Sequence, residues 1–260
     1  MTFEKDGFIL LKGVFEENYL SQIRSKIDEL IAYSQKELLD PLDEHFLKHR
    51  VDNGVLYDVY QRHPFFRPMA ENPVLLDEVE KILGANFYLY VNSLLYKPKS
   101  KNNEVPWHQD FLSRPNESEK ILTWMAIDNA TKENGCLKVI PGSHKKGFRD
   151  WYRVKGATHH DRIKIDDAEL QNASYVEMKA GDVLVFSNYL IHSSDENNSD
   201  LPRRAFRAVF KKLDDAKIPR GAPIMMRSNL NLEKVGQFKT EQKSTAKKLL
   251  NRIGNYLSTI

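Results

Sequence analysis

Val105-Pro106-Trp107-His108-Gln109-Asp110-Phe111 is the stretch on which the reading of this chain turns. Apolar and aromatic residues flank a short polar centre, and Val, Trp and Phe favour extended backbone, so the segment reads as a strand. Two positions apart on a strand, His108 and Asp110 share a face. An imidazole and a carboxylate aimed the same way supply two members of a 2-His-1-carboxylate triad, the set that suits non-haem Fe(II) with open coordination positions. A third ligand, another histidine, has to come from elsewhere. A second His-x-Asp copy, His159-His160-Asp161, lies in the polar run Lys155 to Arg162. Without apolar alternation that run reads as a solvated loop, which would not fix two ligands in advance.

Working outward, 260 residues allow one large domain or two small ones, and all-β folds of this length are routinely single. A hydrophobic content of 41% with 29% charged residues is that of a globular chain, and no apolar run reaches the roughly 18 residues of a membrane span. Net charge is +3, from 39 basic and 36 acidic residues spread along the sequence, which gives no basis for nucleic-acid binding. The first residues lack the pattern of a secretory leader, and the single Cys136 excludes an internal disulfide; both fit a reducing cytoplasm. A basic helix is expected over 232–260, read as a solvated surface element.

Phe8 to Leu11 reads as a short strand, and Phe15 to Tyr33 carries Leu20, Ile23, Ile27, Leu30 and Ile31 at helical spacing. A second helix has Asn72 as N-cap, Pro73 at its first position and Gly84 as its stop. Both helices should cover a sheet. Between them, His45, His49 and His63 show no strand pattern that would aim them at a common point. From Phe87 the pattern changes to strands separated by turns, with eight candidates: 87–97, 105–111, 121–127, 136–140, 174–178, 183–187, 189–193 and 203–211. Eight strands suit a double-sheet jelly roll. The turns include Lys132-Glu133-Asn134-Gly135, Pro141-Gly142 and Gly181-Asp182. Residues 145–172 form one long irregular insertion, read with 112–120 as material around the mouth of a site.

His192 ends the apolar run Tyr189-Leu190-Ile191, and Arg203 follows eleven residues later, where a guanidinium could make a bidentate pair with a carboxylate. Trp107-His108-Gln109-Asp110, Trp124 to Thr131, Glu133 to Lys145, Gly181-Asp182, His192 and Arg203, in this order, resemble the phytanoyl-CoA dioxygenase family of Fe(II)- and 2-oxoglutarate-dependent oxygenases. The resemblance spans about Phe8 to Phe210 and leaves out the 145–172 insertion and the last fifty residues.

That resemblance implies a double-stranded β-helix (jelly roll, cupin-like) core; with the helices read above, the expected fold is mainly β with flanking helices, the core at about 87–211, covering helices at about 15–84 and a helical extension at about 232–260, all in one domain. It implies iron on His108, Asp110 and His192, the distal carboxylate of 2-oxoglutarate on Arg203, and Ser194 beside that carboxylate. Ser194 also lies two residues from His192 and so shares its face if the strand continues. Trp124 is expected either as a wall of the co-substrate pocket or as a core aromatic, and His144 as a loop brace. The reaction so implied consumes O2 and 2-oxoglutarate, releases succinate and CO2, and hydroxylates an unactivated C–H bond of a small molecule. A non-enzymatic jelly roll and a cupin-like metal hydrolase on the same ligands are the alternatives. Arg149, Arg153, Lys155 and Arg162 in the insertion suggest an anionic substrate; oligomeric state is unreadable.

For Pro202-Arg203-Arg204, two arguments disagree. Alternation with Phe206, Ala208 and Phe210 puts Arg204 inward on a half-exposed strand, whereas spacing from His192 selects Arg203. If helices cover the outer face, both faces are buried and spacing prevails.

Overall fold

The computed structural model describes residues 2–48, 54–99, 103–157, 161–213 and 223–229. The expected 232–260 helix and His49, His159 and His160 lie outside them. Thirteen strands form among the described residues: β1 (Phe8–Leu11), β2 (Val55–Tyr57), β3 (Phe87–Lys97), β4 (Val105–His108), β5 (Lys120–Ala126), β6 (Leu137–Val139), β7 (Trp151–Arg153), β8 (Asp161–Ile163), β9 (Ser174–Val176), β10 (Val183–Ser187), β11 (His192–Ser194), β12 (Arg203–Lys212) and β13 (Ile224–Arg227).

Seven strands make a large antiparallel sheet in the order β1-β10-β5-β12-β3-β13, with β2 also on β3, and four make a smaller one in the order β4-β11-β6-β9. The two sheets are those of a jelly roll. Between them lies a cluster that includes Leu122, Trp124, Ala126, Leu137, Val139, Leu184, Phe186, Ala205 and Val209. The large sheet's opposite face carries Ile121, Met125, Val183, Val185, Phe206, Ala208 and Phe210, packed under helices. Central strands are thus apolar on both faces, the condition under which alternation loses its authority.

The helix Glu17–Ser34 buries Leu20, Ile23, Ile27 and Leu30. Pro73–Leu83 buries Leu75, Leu76, Val79 and Leu83, and its Asn72 cap accepts from the amides of Val74 and Leu75. Each such side chain contributes about 1.5–3 kcal/mol by leaving water. Two turns depend on glycine. A Cβ at Gly181 (φ +91°) would stand 2.2 Å from the Phe15 carbonyl oxygen, and one at Gly135 (φ +77°) 2.3 Å from that of Asp195. The second approach holds the β5–β6 connection against the segment that leaves β11.

Several expectations need correction. The 105–111 strand stops at His108, and Gln109 to Phe111 turn away from it, with Phe111 at φ +63°. The 189–193 strand is displaced to His192–Ser194. The stretch 40–68, expected to lack a strand, supplies β2 at the side of β3. The insertion is less irregular than expected: it contains the β7–β8 hairpin and a short helix, Asp167–Leu170.

Candidate metal centre

β11 runs antiparallel to β4, and the register sets His192 opposite His108. Their rings stand 4.2 Å apart between centroids. Asp110 reaches the same point by a route other than the pleat of a strand. Gln109, buried in the turn, donates to the carbonyls of Gly147 (2.9 Å) and Tyr189 (2.6 Å) and accepts from the Arg149 amide (2.8 Å). That clamp joins the turn after β4 to the insertion and to the run that precedes His192. Asp110 is turned inward, its Oδ2 3.6 Å from His192 Nε2. One nitrogen from each histidine and one carboxylate oxygen lie within 4.8 Å of one another, the only such group among the described residues.

The two histidines are oriented by the same device. His108 Nδ1 lies 2.9 Å from the carbonyl oxygen of Pro106, and His192 Nδ1 2.9 Å from that of Leu190. With Nδ1–H donating to a carbonyl, Nε2 keeps its lone pair for a metal. Burial, reinforced by repulsion from His108, lowers the His192 pKa to about 4, so the ring is neutral at physiological pH. For Asp110, burial favours the neutral acid, but Arg207, His192 and His108 together outweigh it and hold the carboxyl below its ordinary range. Two imidazoles with Nδ1 turned to a backbone carbonyl and a carboxylate converging on one point fit Fe(II) with positions left for other ligands.

Arg203 opens β12 on its inward face. It is 3% exposed, its guanidinium lies 5.0 Å from the Trp124 ring centroid, and its Nε is buried without a hydrogen-bond partner. No carboxylate of the described residues pairs with it, and burial lowers its pKa to about 10, still charged at neutral pH. Beside it, Lys97 donates to the carbonyls of Ser194 and Asp195, and burial, with repulsion from Arg203, lowers its pKa to about 7. Ser194 is buried at the end of β11. Arg204, on the other face, donates to Asp128 (2.8 Å) and Asp28 (2.8 Å).

His144 sits away from this centre, against Gly7 and tilted toward Phe3 at 6.3 Å, as a brace between the 3-10 turn and the chain's start. Of the second His-x-Asp copy, Asp161 accepts from Arg153 Nε at 2.8 Å on the hairpin. Sequence reasoning passed over Arg207, whose Nη1 lies 3.4 Å from Asp110 Oδ1, and Lys97. For Arg207 a signal existed: it is four residues beyond Arg203 on one strand and therefore on the same face.

The model of the Phytanoyl-CoA dioxygenase (PhyH) family matches residues 3–205. Ectoine dioxygenase of Nocardia farcinica is 24% identical over 246 residues, covering 85% of this chain and 80% of that protein. Peroxisomal phytanoyl-CoA dioxygenase of Bos taurus is 28% identical over 225 residues, with 80% and 66% covered. Among solved structures, EctD from S. alaskensis with 2-oxoglutarate and 5-hydroxyectoine superposes at a TM-score of 0.63, with 23% identity over 81% of this chain and 73% of that one, a likeness of fold. No helix among the described residues is long and apolar enough to cross a membrane. With a family match over most of its length, the chain belongs to the phytanoyl-CoA dioxygenase family of Fe(II)- and 2-oxoglutarate-dependent oxygenases.

Proposed function

We propose that His108, Asp110 and His192 hold the iron, that Arg203 grips the distal carboxylate of 2-oxoglutarate, and that the enzyme hydroxylates or desaturates a small molecule at an unactivated C–H bond. The observation that carries this reading is the convergence of the three side chains, with both Nδ1 atoms committed to backbone carbonyls. Bound iron supplies the coupling of 2-oxoglutarate decarboxylation, yielding succinate and CO2, to oxidation of the substrate by O2.

The chain's own residues do the positioning. Arg203 offers a guanidinium whose buried Nε lacks a partner, and a dicarboxylate would neutralise and satisfy it. The Trp124 ring lies 5.0 Å under that guanidinium, which supports its role as a wall of the co-substrate pocket. Ser194, buried on the strand that carries His192, is proposed to donate to the same carboxylate. Arg207 steadies Asp110, and Asp110 occupies the position where a halogenating relative would need a small residue. Hydroxylation or desaturation is therefore the expected outcome. A hydrolase on the same three ligands would have no use for a buried, unpaired Arg203.

The whole chain, 1–260, is proposed to serve one catalytic domain, in a reducing cytoplasm as the lone buried Cys136 suggests. Two insertion cations do not support an anionic substrate, because Arg149 is paired with Glu169 and Arg153 with Asp161. The test is succinate release in the presence of Fe(II), O2 and 2-oxoglutarate, with oxygen uptake followed across a metabolite panel. Absence of oxoglutarate-dependent succinate from the iron-loaded enzyme would overturn the reading.

A further inference from the structure

The inward positions of β12 run Arg203, Ala205, Arg207, Val209, Lys211, so one strand face presents three cations at four-residue steps, about 13 Å apart. Arg203 belongs to the co-substrate. Arg207 stands next to the proposed metal ligands with its side chain 19% exposed, reachable from solvent as Arg203, 3% exposed, is not. Its Nη1 faces Asp110, and its Nε is buried without a hydrogen-bond partner. The edge of the guanidinium formed by Nε and Nη2, the one that grips an oxyanion through two parallel hydrogen bonds, thus has no acceptor among the described residues.

Beyond Arg207 the surplus of positive charge continues. Lys120 on β5 lies opposite Lys211 in the sheet, and the two ammonium groups share a single carboxylate, Glu117, at 3.0 and 3.8 Å. Both also lie over the Tyr90 ring, at 5.5 and 5.3 Å from its centroid. The Tyr90 hydroxyl donates to Glu117 and accepts from Arg114. Among the described residues, then, the ion pairs of Arg207, Lys120 and Lys211 are with two carboxylates, Asp110 and Glu117, with Arg114 on the Tyr90 hydroxyl beside them, and Asp110 is committed to the metal. Fe(II) and the two carboxylates of 2-oxoglutarate cancel one another, so loading the site leaves the surplus in place. Partly buried charge without a counter-ion is costly, and a bound anion relieves it.

Resting on the function proposed above, we infer that the primary substrate carries an oxyanion, a carboxylate or a phosphate, and that Arg207 is the residue that selects and holds it. Because Arg207 touches Asp110, the anion sits close to the metal centre and the oxidised carbon only a few bonds from the charge. The substrate class is a compact acid or phosphate ester.

The experiment is an anaerobic calorimetric titration of the full chain, first with 2-oxoglutarate and then, on the Fe(II)- and oxoglutarate-loaded enzyme, with a probe panel. The panel holds acetate through octanoate, benzoate and phenyl phosphate, each beside its neutral amide or, for phenyl phosphate, phenol; its carboxylate and phosphate arms separate the two sources of charge. At least one anion should bind about tenfold or more tightly than its neutral partner, and Arg207→Gln should erase that preference. Because Arg207 also steadies Asp110, the same variant should weaken iron and oxoglutarate binding too, but by clearly less, about threefold or more short of the loss of anion affinity. The inference is overturned if no panel anion is preferred, if the preference survives Arg207→Gln, or if oxoglutarate or iron affinity falls as far as anion affinity, which would make Arg207 a support for Asp110 alone. Should Arg207→Gln fail to fold, Arg207→Lys decides in its place: it keeps the charge and loses the two-bond edge, and unchanged anion affinity overturns the inference. Wild-type enzyme that fails to bind 2-oxoglutarate would sink the preceding function instead.

Discussion

The two faces of β12 handle charge in opposite ways. On the outer face, Arg204 donates to Asp128 and Asp28, and Arg24 of the covering helix donates to the same Asp128 and to the Ile127 carbonyl. Phe206, Ala208 and Phe210 fill the rest of that face, with Phe210 edge-on to Phe87 at 5.9 Å. Every guanidinium there has its carboxylate, so the charges fasten helix to sheet. On the inner face, Arg203 and Arg207 each keep a buried Nε with no partner. Folding gains nothing from an unpaired buried donor, which costs about 1–3 kcal/mol. Matched charge marks the half of the strand that serves the fold, and the unpartnered Nε atoms fall on the half proposed above to bind ligands.

The sharpest way to break this contrast is at the proposed metal ligands. His192→Ala and Asp110→Ala should each lower oxoglutarate turnover by more than about a thousandfold and abolish iron binding, read by succinate release and by metal content. Asp161→Ala, on the hairpin, should do neither. Next in size is Arg203→Ala, which removes the only proposed counter-charge to a buried carboxylate. Oxoglutarate should bind on the order of a hundredfold more weakly, about 2.7 kcal/mol, in a titration under anaerobic conditions.

A third effect concerns acid. The folded chain holds His192 neutral down to about pH 4, against an ordinary 6.5 for the unfolded chain. Between those values protons prefer the unfolded state, so metal-free protein keeps the full stability contribution above about pH 6.5 and loses it toward pH 4. Asp110, held below its ordinary range, adds a loss of the same sign lower down. The His192 part amounts to about 3.5 kcal/mol at most, at about 1.4 kcal/mol per pKa unit. Denaturant midpoints of chelated protein across pH 4–7 measure it, and His192→Gln should flatten the profile in that window.

How much of this was legible depended on which physical signal each residue carried. Asn72-Pro73 and Gly84 mark a helix by capping chemistry that needs no tertiary context, and that helix stands where its caps place it. The juxtaposition of His108 and Asp110 was legible, but its cause was not. It arises from Gln109 binding Gly147 and Tyr189, contacts 38 and 80 residues away that no local pattern encodes. The inward position of Arg203 was legible by spacing against alternation, because β12 is covered on both faces. β2 was not, since three residues, Val55–Tyr57, are too few for a period and owe their strand to pairing with β3. Arg207 carried a readable position but no readable purpose until its neighbours were known.

The smallest effect tests the outer face. Arg204→Ala removes a guanidinium that is 12% exposed from an Asp128 that is 16% exposed, a setting between a surface pair, worth about 0–1 kcal/mol, and a buried one, where loss of a partner costs about 3–5 kcal/mol. Asp128 would not be stranded. It keeps Arg24 at 3.1 Å and the amide of residue 204 at 2.8 Å, neither of which depends on the lost side chain. The expected loss of stability is therefore about 1–2 kcal/mol, read from denaturant midpoints. A cycle with Asp28→Asn should show that Asp28, the more exposed partner, contributes the lesser share. Oxoglutarate affinity should change only a few-fold, because the sheet itself separates Arg204 from the site. If Arg204→Ala weakens oxoglutarate as much as Arg203→Ala does, the faces are not independent, and unmatched charge would no longer tell the ligand-binding side of the strand from the structural one.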